Sequence, residues 1–285
     1  MASAGPEFID DGVPHGTVVG RANAYASFWE AFRVQARVIG ALTLRDFRTR
    51  YGGSYLSYSI AVLWPFSHFA ILLIVYTFVG RTPSYGTDLF AWVMSGTLPF
   101  VLFLYSTRLI AVSLSTNASL LGFSIVRRID IIIARSLAEL VTCVMITTMV
   151  FTIYIIYRGE FAFSDFETCL LAALMAYLTG VAFGTVGAPI VRIAPFFVMV
   201  IYLLCVICWL TAGIVYLPDS VPDPYHWYFA LNPLVHCSEL FRTGLYNDYQ
   251  SGTLDVDYLL TLDACLILAG LVMDRVLPRL ATWVR

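Results

Sequence analysis

Long apolar stretches alternate with short polar ones along this chain of 285 residues. A helix that crosses the hydrocarbon layer of a membrane needs ~20 mostly apolar residues. Six stretches reach or approach that length and are predicted to be membrane spans: residues 58–80, 89–113, 131–157, 168–191, 193–217 and 258–273. The last is the weakest of these predictions, because it is short and contains Asp263. The pattern thus predicts an all-α integral membrane protein with six transmembrane helices.

The residues before the first predicted span do not form a long apolar stretch. Residues 25–50 can place aromatic and aliphatic side chains on one side of a helix and Arg on the other. Such a helix suits the membrane surface, so we predict an amphipathic interfacial helix there. Residues 1–24 have no such periodicity and are predicted to be a disordered cytoplasmic tail. The transmembrane domain is expected to occupy residues 51–285.

The stretch between the fifth and sixth predicted spans is too apolar for a solvated loop. It contains Asn232 followed by Pro233, which are preferred residues at the N-cap and at the first position of a helix. We therefore predict a short helix over Pro233–Thr243 that lies in or dips into the outer leaflet as a re-entrant-type element. Glu239 and Arg242 are three residues apart and fall on the same face of this helix.

Arginine is distributed unequally between the two sides of the predicted spans. Short cytoplasmic loops are rich in Arg and Lys. One side carries most of the basic residues: Arg21, Arg33, Arg37, Arg45, Arg48, Arg50, Arg127, Arg128, Arg192, Arg275, Arg279 and Arg285. The opposite side has only Arg81, Arg158 and Arg242. We therefore predict that both termini are cytoplasmic.

Composition narrows the possible functions. Hydrophobic residues make up 59% of the chain and charged residues only 13%, whereas a soluble protein needs a charged surface. All 17 basic residues are Arg and none is Lys. This excludes the phosphate-binding lysine of a Walker A loop and a Schiff-base lysine. If the protein moves a substrate at the expense of ATP, a separate subunit must bind ATP and Mg²⁺, and we expect no cofactor or metal on the chain itself.

Few titratable side chains occupy positions suited to catalysis or ion coupling. A carrier coupled to protons or sodium usually has acidic residues deep in its helices, and such residues are sparse here. One cluster could serve an intramembrane acyl- or glycosyltransferase, namely Asp223, His226, His236 and Glu239. Because it lies on the predicted outer side and lacks a nucleophile, we assign no catalytic residue.

The loop between the second and third predicted spans is apolar at its tip and basic at its end. Its candidate contact residues are Leu120, Leu121, Phe123, Val126, Arg127 and Arg128. Apolar side chains on a short cytoplasmic loop favour docking to a protein partner, which would shield them from water. Packing of the same side chains on the chain's own helices is equally compatible with the sequence.

Three segments occur in an order and spacing typical of one family. The first predicted span begins within the segment LTLRDFRTRYGGSYLSYSIAVLWPF, and the third begins within RRIDIIIARSLAEL. The sixth is preceded by LNPLVHCSELFRTGLY. Together they resemble the permease subunits of type-2 ABC exporters for bacterial capsular polysaccharide, the KpsM-like branch. The resemblance extends from about Arg45 to the C-terminus. Many members have Tyr-Pro and Lys-Pro where this chain has Phe123-Ser124 and Arg127-Arg128.

The resemblance implies a multi-pass, homodimeric permease in the bacterial inner membrane. A cytoplasmic ATPase dimer would bind ATP and drive export of a lipid-linked polysaccharide. Further expected partners are periplasmic copolymerase-type and outer-membrane export proteins, and no nucleic acid is expected. A permease for O-antigen or teichoic-acid polymer would have the same architecture and is the nearest alternative, while an intramembrane transferase is the alternative of a different class.

Aromatic residues recur on two predicted spans in a manner that suits a sugar polymer. The candidate path residues are Tyr58, Phe69 and Tyr76 in the first span and Tyr202, Trp209 and Tyr216 in the fifth. A spacing of seven residues keeps the second set on one face of a helix. Sugar rings have apolar C–H faces that stack on aromatic rings, and a row of weak sites lets a polymer slide. A stripe that faces lipid or another helix would have the same spacing.

Overall fold

The computed structural model describes residues 28–51, 55–222 and 224–283, with side chains for residues 29–49, 63–222 and 224–277. All regular secondary structure in these residues is helical. The helices are α1 (Phe28–Tyr51), α2 (Tyr55–Val79), α3 (Leu89–Ala111), α4 (Ser113–Thr116), α5 (Arg128–Arg158), α6 (Phe166–Ile193), α7 (Phe197–Thr211), α8 (His226–Ala230), α9 (Pro233–Leu245) and α10 (Val256–Trp283). Two short 3₁₀ turns, Ala118–Gly122 and Pro218–Ser220, complete the described part. The prediction of an all-α protein is confirmed for these residues.

Four helices in the described part are long and apolar enough to cross a membrane. They are α3, α5, α6 and residues Val256–Leu277 of α10. Two further apolar segments, Leu63–Val79 of α2 and Phe197–Thr211 of α7, are shorter. These six segments correspond to the six predicted spans, of which four have the length and composition expected. A topology with six spans stays a prediction.

The ends of the last two predicted spans differ from the observed helices. Helix α7 begins after Pro195 and ends at Thr211, six residues before the predicted end at Leu217. The cause is Gly213, whose φ of 68° is left-handed backbone that terminates a helix. Helix α10 extends beyond the predicted 258–273 at both ends. The short sixth apolar stretch is therefore part of a 28-residue helix.

Close packing between α3 and α6 forms the centre of the helix assembly. Nearly every residue of α3 is buried. Gly180 on α6 faces α3 so closely that a Cβ atom there would lie 2.7 Å from Cβ of Ser106 and 2.9 Å from the carbonyl oxygen of Phe103. Small residues allow helix backbones in membranes to approach one another in this way. The two helices thus form a closely packed pair, and α10 also packs on α6.

Helix α1 was predicted over residues 25–50, and its described part begins at Phe28. Residues up to Arg37 form a unit of their own. In that unit Trp29 and Phe32 are exposed, with ring centroids 6.2 Å apart in an edge-to-face arrangement. Exposed aromatic rings suit a helix at a membrane surface, which stays a prediction. The predicted tail, residues 1–24, lies outside the described residues.

The helix predicted between the last two spans is present as α9, which runs two residues past the predicted Thr243. Its N-cap is Asn232, whose side chain accepts a hydrogen bond of 3.0 Å from the backbone N–H of Leu234. Nearly all residues of α9 are buried, against α6, α3 and α7. The helix itself is confirmed, and its position relative to a membrane stays a prediction.

Candidate functional site

A cavity of about 570 Å³ lies between α2, α3 and α7. Most of the side chains that line it are apolar, including Leu72 of α2 and Phe100 of α3. Tyr202 and Trp209 of α7, two of the candidate path residues, form part of its wall. Because it contains two of the candidate path residues and has aromatic walls, we call it the aromatic cavity.

Arg108 provides the positive charge of the aromatic cavity. Its guanidinium carbon lies 3.9 Å from the centroid of the Tyr202 ring. A cation over an aromatic face is attracted by the ring's negative charge density, more strongly where water is excluded. On the same wall, the rings of Phe100 and Trp209 are 6.4 Å apart. The cavity therefore combines ring faces with one fixed cation.

The other candidate path residues lie elsewhere. Phe69 and Tyr76 are each only 3% exposed, because they pack inside the helix assembly. The ring of Phe69 lies 4.7 Å from that of Phe90 on α3. Tyr216 follows the end of α7, so the helical spacing that linked it to Trp209 does not reach it. The side chain of Tyr58 lies outside the described residues.

The apolar side chains of the α4–α5 loop, residues 117–127, have two different settings. Phe123 is 62% exposed and Ile125 is 56% exposed, so these two form a tip free for contact. Leu120, Leu121 and Val126 are partly buried against a small apolar cluster at this end of the helices. The loop therefore packs on the chain through one side and presents Phe123 and Ile125 on the other.

The two basic residues at the end of this loop have different settings. Arg127 is exposed, and its backbone N–H donates a 2.8 Å hydrogen bond to the carboxylate of Asp130, which caps α5. Arg128 donates a 3.2 Å hydrogen bond to the backbone carbonyl of Asp274 on α10. Arg127 is thus available to a partner, whereas Arg128 links α5 to α10.

A chain of charges lies at the base of the loop, and it was not predicted from the sequence. Arg45 of α1 donates a hydrogen bond to the side-chain oxygen of Asn117 and lies 3.0 Å from a carboxylate oxygen of Asp46. The other oxygen of Asp46 lies 3.4 Å from Arg135, which pairs with Glu139 at 3.1 Å. The network joins α1, the loop and α5. Only the pair within α5 has a local spacing that a sequence reveals.

The pair of Glu239 and Arg242 in α9 is fully buried. Nη1 of Arg242 lies 2.7 Å from Oε1 of Glu239. Arg242 also donates to the carbonyl of Gly213 and to the hydroxyl of Ser95, 3.4 Å away. Its guanidinium carbon lies 4.1 Å from the ring centroid of Trp92. The spacing predicted the pair, but its burial and its other partners come from the tertiary fold.

The second oxygen of Glu239 is also occupied. The hydroxyl of Tyr249 donates a 2.7 Å hydrogen bond to Oε2 of Glu239. Burial, with the nearby Glu239 carboxylate, raises the pKa of Tyr249 far above its ordinary value. The hydroxyl consequently stays protonated and acts as a donor. Both oxygens of the carboxylate are thus paired, as a charge removed from water requires.

The candidate transferase cluster is not assembled in the described residues. Glu239 is neutralised by Arg242. His236 accepts a 3.0 Å hydrogen bond from the backbone N–H of Asp255 through Nδ1, and its Nε2 lies 2.8 Å from the carbonyl of Ala230. His226 contacts the hydroxyl of Thr253 at 2.9 Å instead. Asp223, the fourth candidate, lies outside the described residues.

Comparison with known proteins identifies the family. Residues 37–246 match the model of the ABC-2 type transporter. The chain belongs to the ABC-2 type transporter family. The matched segment contains α2 to α9, and with them the aromatic cavity, the α4–α5 loop and the buried pair.

Curated members of this ABC-2 type group are similar over almost their whole length. The chain is 26% identical over 244 residues to the polysialic acid transport protein KpsM of Escherichia coli, covering 86% of this chain and 95% of that protein. It is 25% identical over 248 residues to the capsule polysaccharide export inner-membrane protein CtrC of Neisseria meningitidis serogroup B, covering 87% and 93%. Identity to BexB of Haemophilus influenzae, a protein of the same description, is 23% over 248 residues with the same coverage. These names describe transport and export proteins rather than enzymes.

The buried pair of this ABC-2 type transporter generates a stability prediction. Changing Arg242 to Met leaves the Glu239 carboxylate buried without its cation, which costs about 3–5 kcal/mol. We expect a large fall in the thermal unfolding temperature of the purified protein in detergent. Changing Arg158 to Met, where the cation is partly exposed, should leave that temperature nearly unchanged. Equal unfolding temperatures for the two variants would contradict a stabilising role of the pair.

Proposed function

We propose that this chain is the transmembrane subunit of an ATP-driven exporter that moves lipid-linked capsular polysaccharide across the bacterial inner membrane. The observation that carries the proposal is the similarity to three capsule or polysialic acid transporters over 86–87% of the chain and 93–95% of their lengths. Export of O-antigen or teichoic-acid polymer is the alternative with the same architecture. No feature of the described residues favours it over capsule export.

Hydrolysis of ATP belongs to a separate cytoplasmic subunit in this proposal. The chain has no lysine and hence no Walker A lysine, so ATP and Mg²⁺ are assigned to a partner dimer. The docking element is the exposed tip of the α4–α5 loop, Phe123 and Ile125, together with the exposed Arg127. The hydrogen bond from Arg45 to Asn117 supports this assignment, because it fixes the base of the loop against α1.

The proposed assembly is a homodimer with six spans in each chain and both termini in the cytoplasm. The Arg distribution supports this orientation, and α1 would lie at the cytoplasmic surface. Helix α7 exposes large apolar side chains, among them Met199, Leu203 and Leu210, which suits contact with lipid or a second copy. Periplasmic copolymerase-type and outer-membrane export proteins would continue the route.

The proposed substrate path is the aromatic cavity, with Tyr202 and Trp209 as stacking residues. Both lie on the wall of the cavity. Phe69, Tyr76 and Tyr216 are assigned to packing instead, since the first two are buried in the helix assembly and the third lies beyond α7. The path therefore rests on fewer aromatic residues than the sequence pattern suggested.

Deletion of the gene in its host tests the proposed function. We expect capsular polymer to disappear from the cell surface and to accumulate inside the cell, and both to recover when the gene is returned on a plasmid. The surface polymers are assayed separately. Loss of O-antigen or teichoic acid with an intact capsule would select the alternative cargo.

Docking through the loop tip generates a coupling prediction. Changing Phe123 and Ile125 together to Asp places two carboxylates in the proposed interface, where unpaired buried charge costs several kcal/mol. Copurification of the ATPase subunit and surface capsule should both fall at least tenfold. The control is Phe161→Asp, an equally exposed position at the opposite end of α5, which should retain both. Survival of copurification and capsule in the double variant would exclude the tip as the docking element.

The aromatic cavity generates a transport prediction. Trp209→Ala removes one stacking surface, worth roughly 0.5–1.5 kcal/mol for an aromatic pair, so export should slow about two- to tenfold at an unchanged yield of dimer. Trp227→Ala is the matched control, because Trp227 is exposed on α8 and lies outside the cavity. Export and dimer yield are measured together. Export that falls only in proportion to protein yield would assign Trp209 to packing.

A further inference from the structure

A small polar pocket lies at the end of α3 and α5 that is opposite to the α4–α5 loop. Its volume is about 250 Å³. Polar residues dominate its chemistry: Asp88, Tyr154, Arg158, Tyr246 and Asn247. Ala91, Ala162 and Leu245 add a small apolar surface. This combination differs from the aromatic cavity, whose lining is mainly apolar.

The two carboxylate oxygens of Asp88 have different surroundings. Oδ1 caps α3 by accepting hydrogen bonds from the backbone N–H groups of Phe90 and Ala91, at 2.9 and 3.3 Å. Oδ2 lies 3.7 Å from Nη1 of Arg158, too far for a hydrogen bond. Arg158 is instead engaged at 2.8 Å by Glu160. The hydroxyl of Tyr154 also lies beside this carboxylate, and the buried Oδ2 atom has no hydrogen-bond partner within normal distance among the described residues. Oδ2 can therefore still accept a hydrogen bond.

Tyr246 has a fixed ring and an unused hydroxyl. A Cβ atom on Gly86, where φ is +71°, would lie 3.0 Å from Cε1 of Tyr246, so the glycine backbone packs closely on the ring. The centroid of the Tyr85 ring lies 5.1 Å from that of the Tyr246 ring, and the two rings are edge-to-face. The buried Oη atom of Tyr246 has no hydrogen-bond partner among the described residues. Buried hydroxyls in proteins are nearly always paired, so this one has the capacity to pair with a ligand or with solvent.

Asn247 adds an amide at the rim. Its side-chain oxygen accepts a 3.1 Å hydrogen bond from the hydroxyl of Ser164. That bond orients the amide and leaves its N–H₂ group as a donor. The pocket thus offers an acceptor at Asp88, a donor at Asn247, and a group at Tyr246 that can do either. A compact ligand with several hydroxyl groups matches all three.

We propose that this pocket binds one neutral, hydroxylated sugar residue of the exported polymer. Neighbouring hydroxyls of a pyranose would contact Asp88 Oδ2 and Tyr246 Oη, and one C–H face of the ring would rest on Leu245 and Ala162. A neutral sugar fits better than an acidic one, because the Asp88 carboxylate lines the pocket while the guanidinium of Arg158 is already paired with Glu160 outside it. The proposal rests on the proposed polysaccharide export and places this contact at the predicted outer end of the helices.

Ligand-detected NMR on the purified permease–ATPase complex in nanodiscs tests the pocket. The probes are the methyl glycosides of glucose, galactose and mannose, with galacturonic acid as the acidic comparison. At least one neutral glycoside should bind saturably, and galacturonic acid should bind more weakly. Tyr246→Phe retains the ring and removes only Oη, so it should weaken binding about three- to tenfold. Asp88→Asn retains an N-cap residue and should weaken it by a similar factor.

Tyr225→Phe is the matched control, since Tyr225 is an exposed tyrosine outside the pocket; it should bind as the unaltered protein does. Absence of saturable binding by all three neutral glycosides would overturn the proposal, as would equal or tighter binding of galacturonic acid, or unchanged affinity in Tyr246→Phe. Capsule export by the unaltered gene is scored separately. If the unaltered gene supports normal export but no glycoside binds, the pocket is not a sugar site and the proposed function stands. If the unaltered gene does not restore polysaccharide export to a deletion strain, the proposed function itself is wrong.

Discussion

The buried pair of Arg242 and Glu239 constrains the arrangement of the elements around it. A charge in an apolar interior persists only when it is paired and its remaining hydrogen-bonding positions are filled. Those positions are filled from three separate parts of the chain: Ser95 on α3, Gly213 after α7, and Tyr249 after α9. Helix α9 is therefore held against α3, and α7 must end where the carbonyl of Gly213 can meet the guanidinium. The apolar segment between the fifth and sixth predicted spans therefore packs as helix α9, because its ion pair needs all of these partners.

The same constraint positions the wall of the aromatic cavity. The last turn of a helix leaves carbonyl groups without hydrogen-bond donors. For α7, side chains of the N-cap and of the middle of α9 provide these donors. Asn232 donates a 2.8 Å hydrogen bond to the carbonyl of Cys208, and Ser238 donates a 2.9 Å hydrogen bond to that of Ala212. Because α9 is itself fixed by the buried pair, the end of α7 is fixed as well. The residues that line the cavity from α7 thus have a firm support at the end of that helix, while nearer its start Ile201 packs closely on Gly187 of α6.

Sequence patterns predicted what depends on local spacing. Apolar run length identified the long helices, the Asn-Pro signal identified α9, and the spacing of three identified the pair of Glu239 and Arg242. The patterns did not identify contacts between residues distant in the chain, such as Arg45 with Asn117 or Tyr246 with Gly86, because no periodicity encodes them. The seven-residue repeat failed at Tyr216 for a related reason: a repeat is meaningful only while the helix continues, and Gly213 ends it.

Helix α5 joins the two ends at which this protein has polar chemistry. It is continuous over 31 residues, about 46 Å at 1.5 Å per residue. Its first turn is capped by Asp130 beside the α4–α5 loop, and its last residue, Arg158, lies beside Asp88 in the polar pocket. Arg135, two turns from the start, belongs to the charge network that includes α1. A displacement of the loop by a partner would therefore reach the pocket through one rigid helix, whereas a chain of flexible contacts would dissipate it. Coupling between two sites needs an element that both can bias, and α5 has a functional candidate at each end.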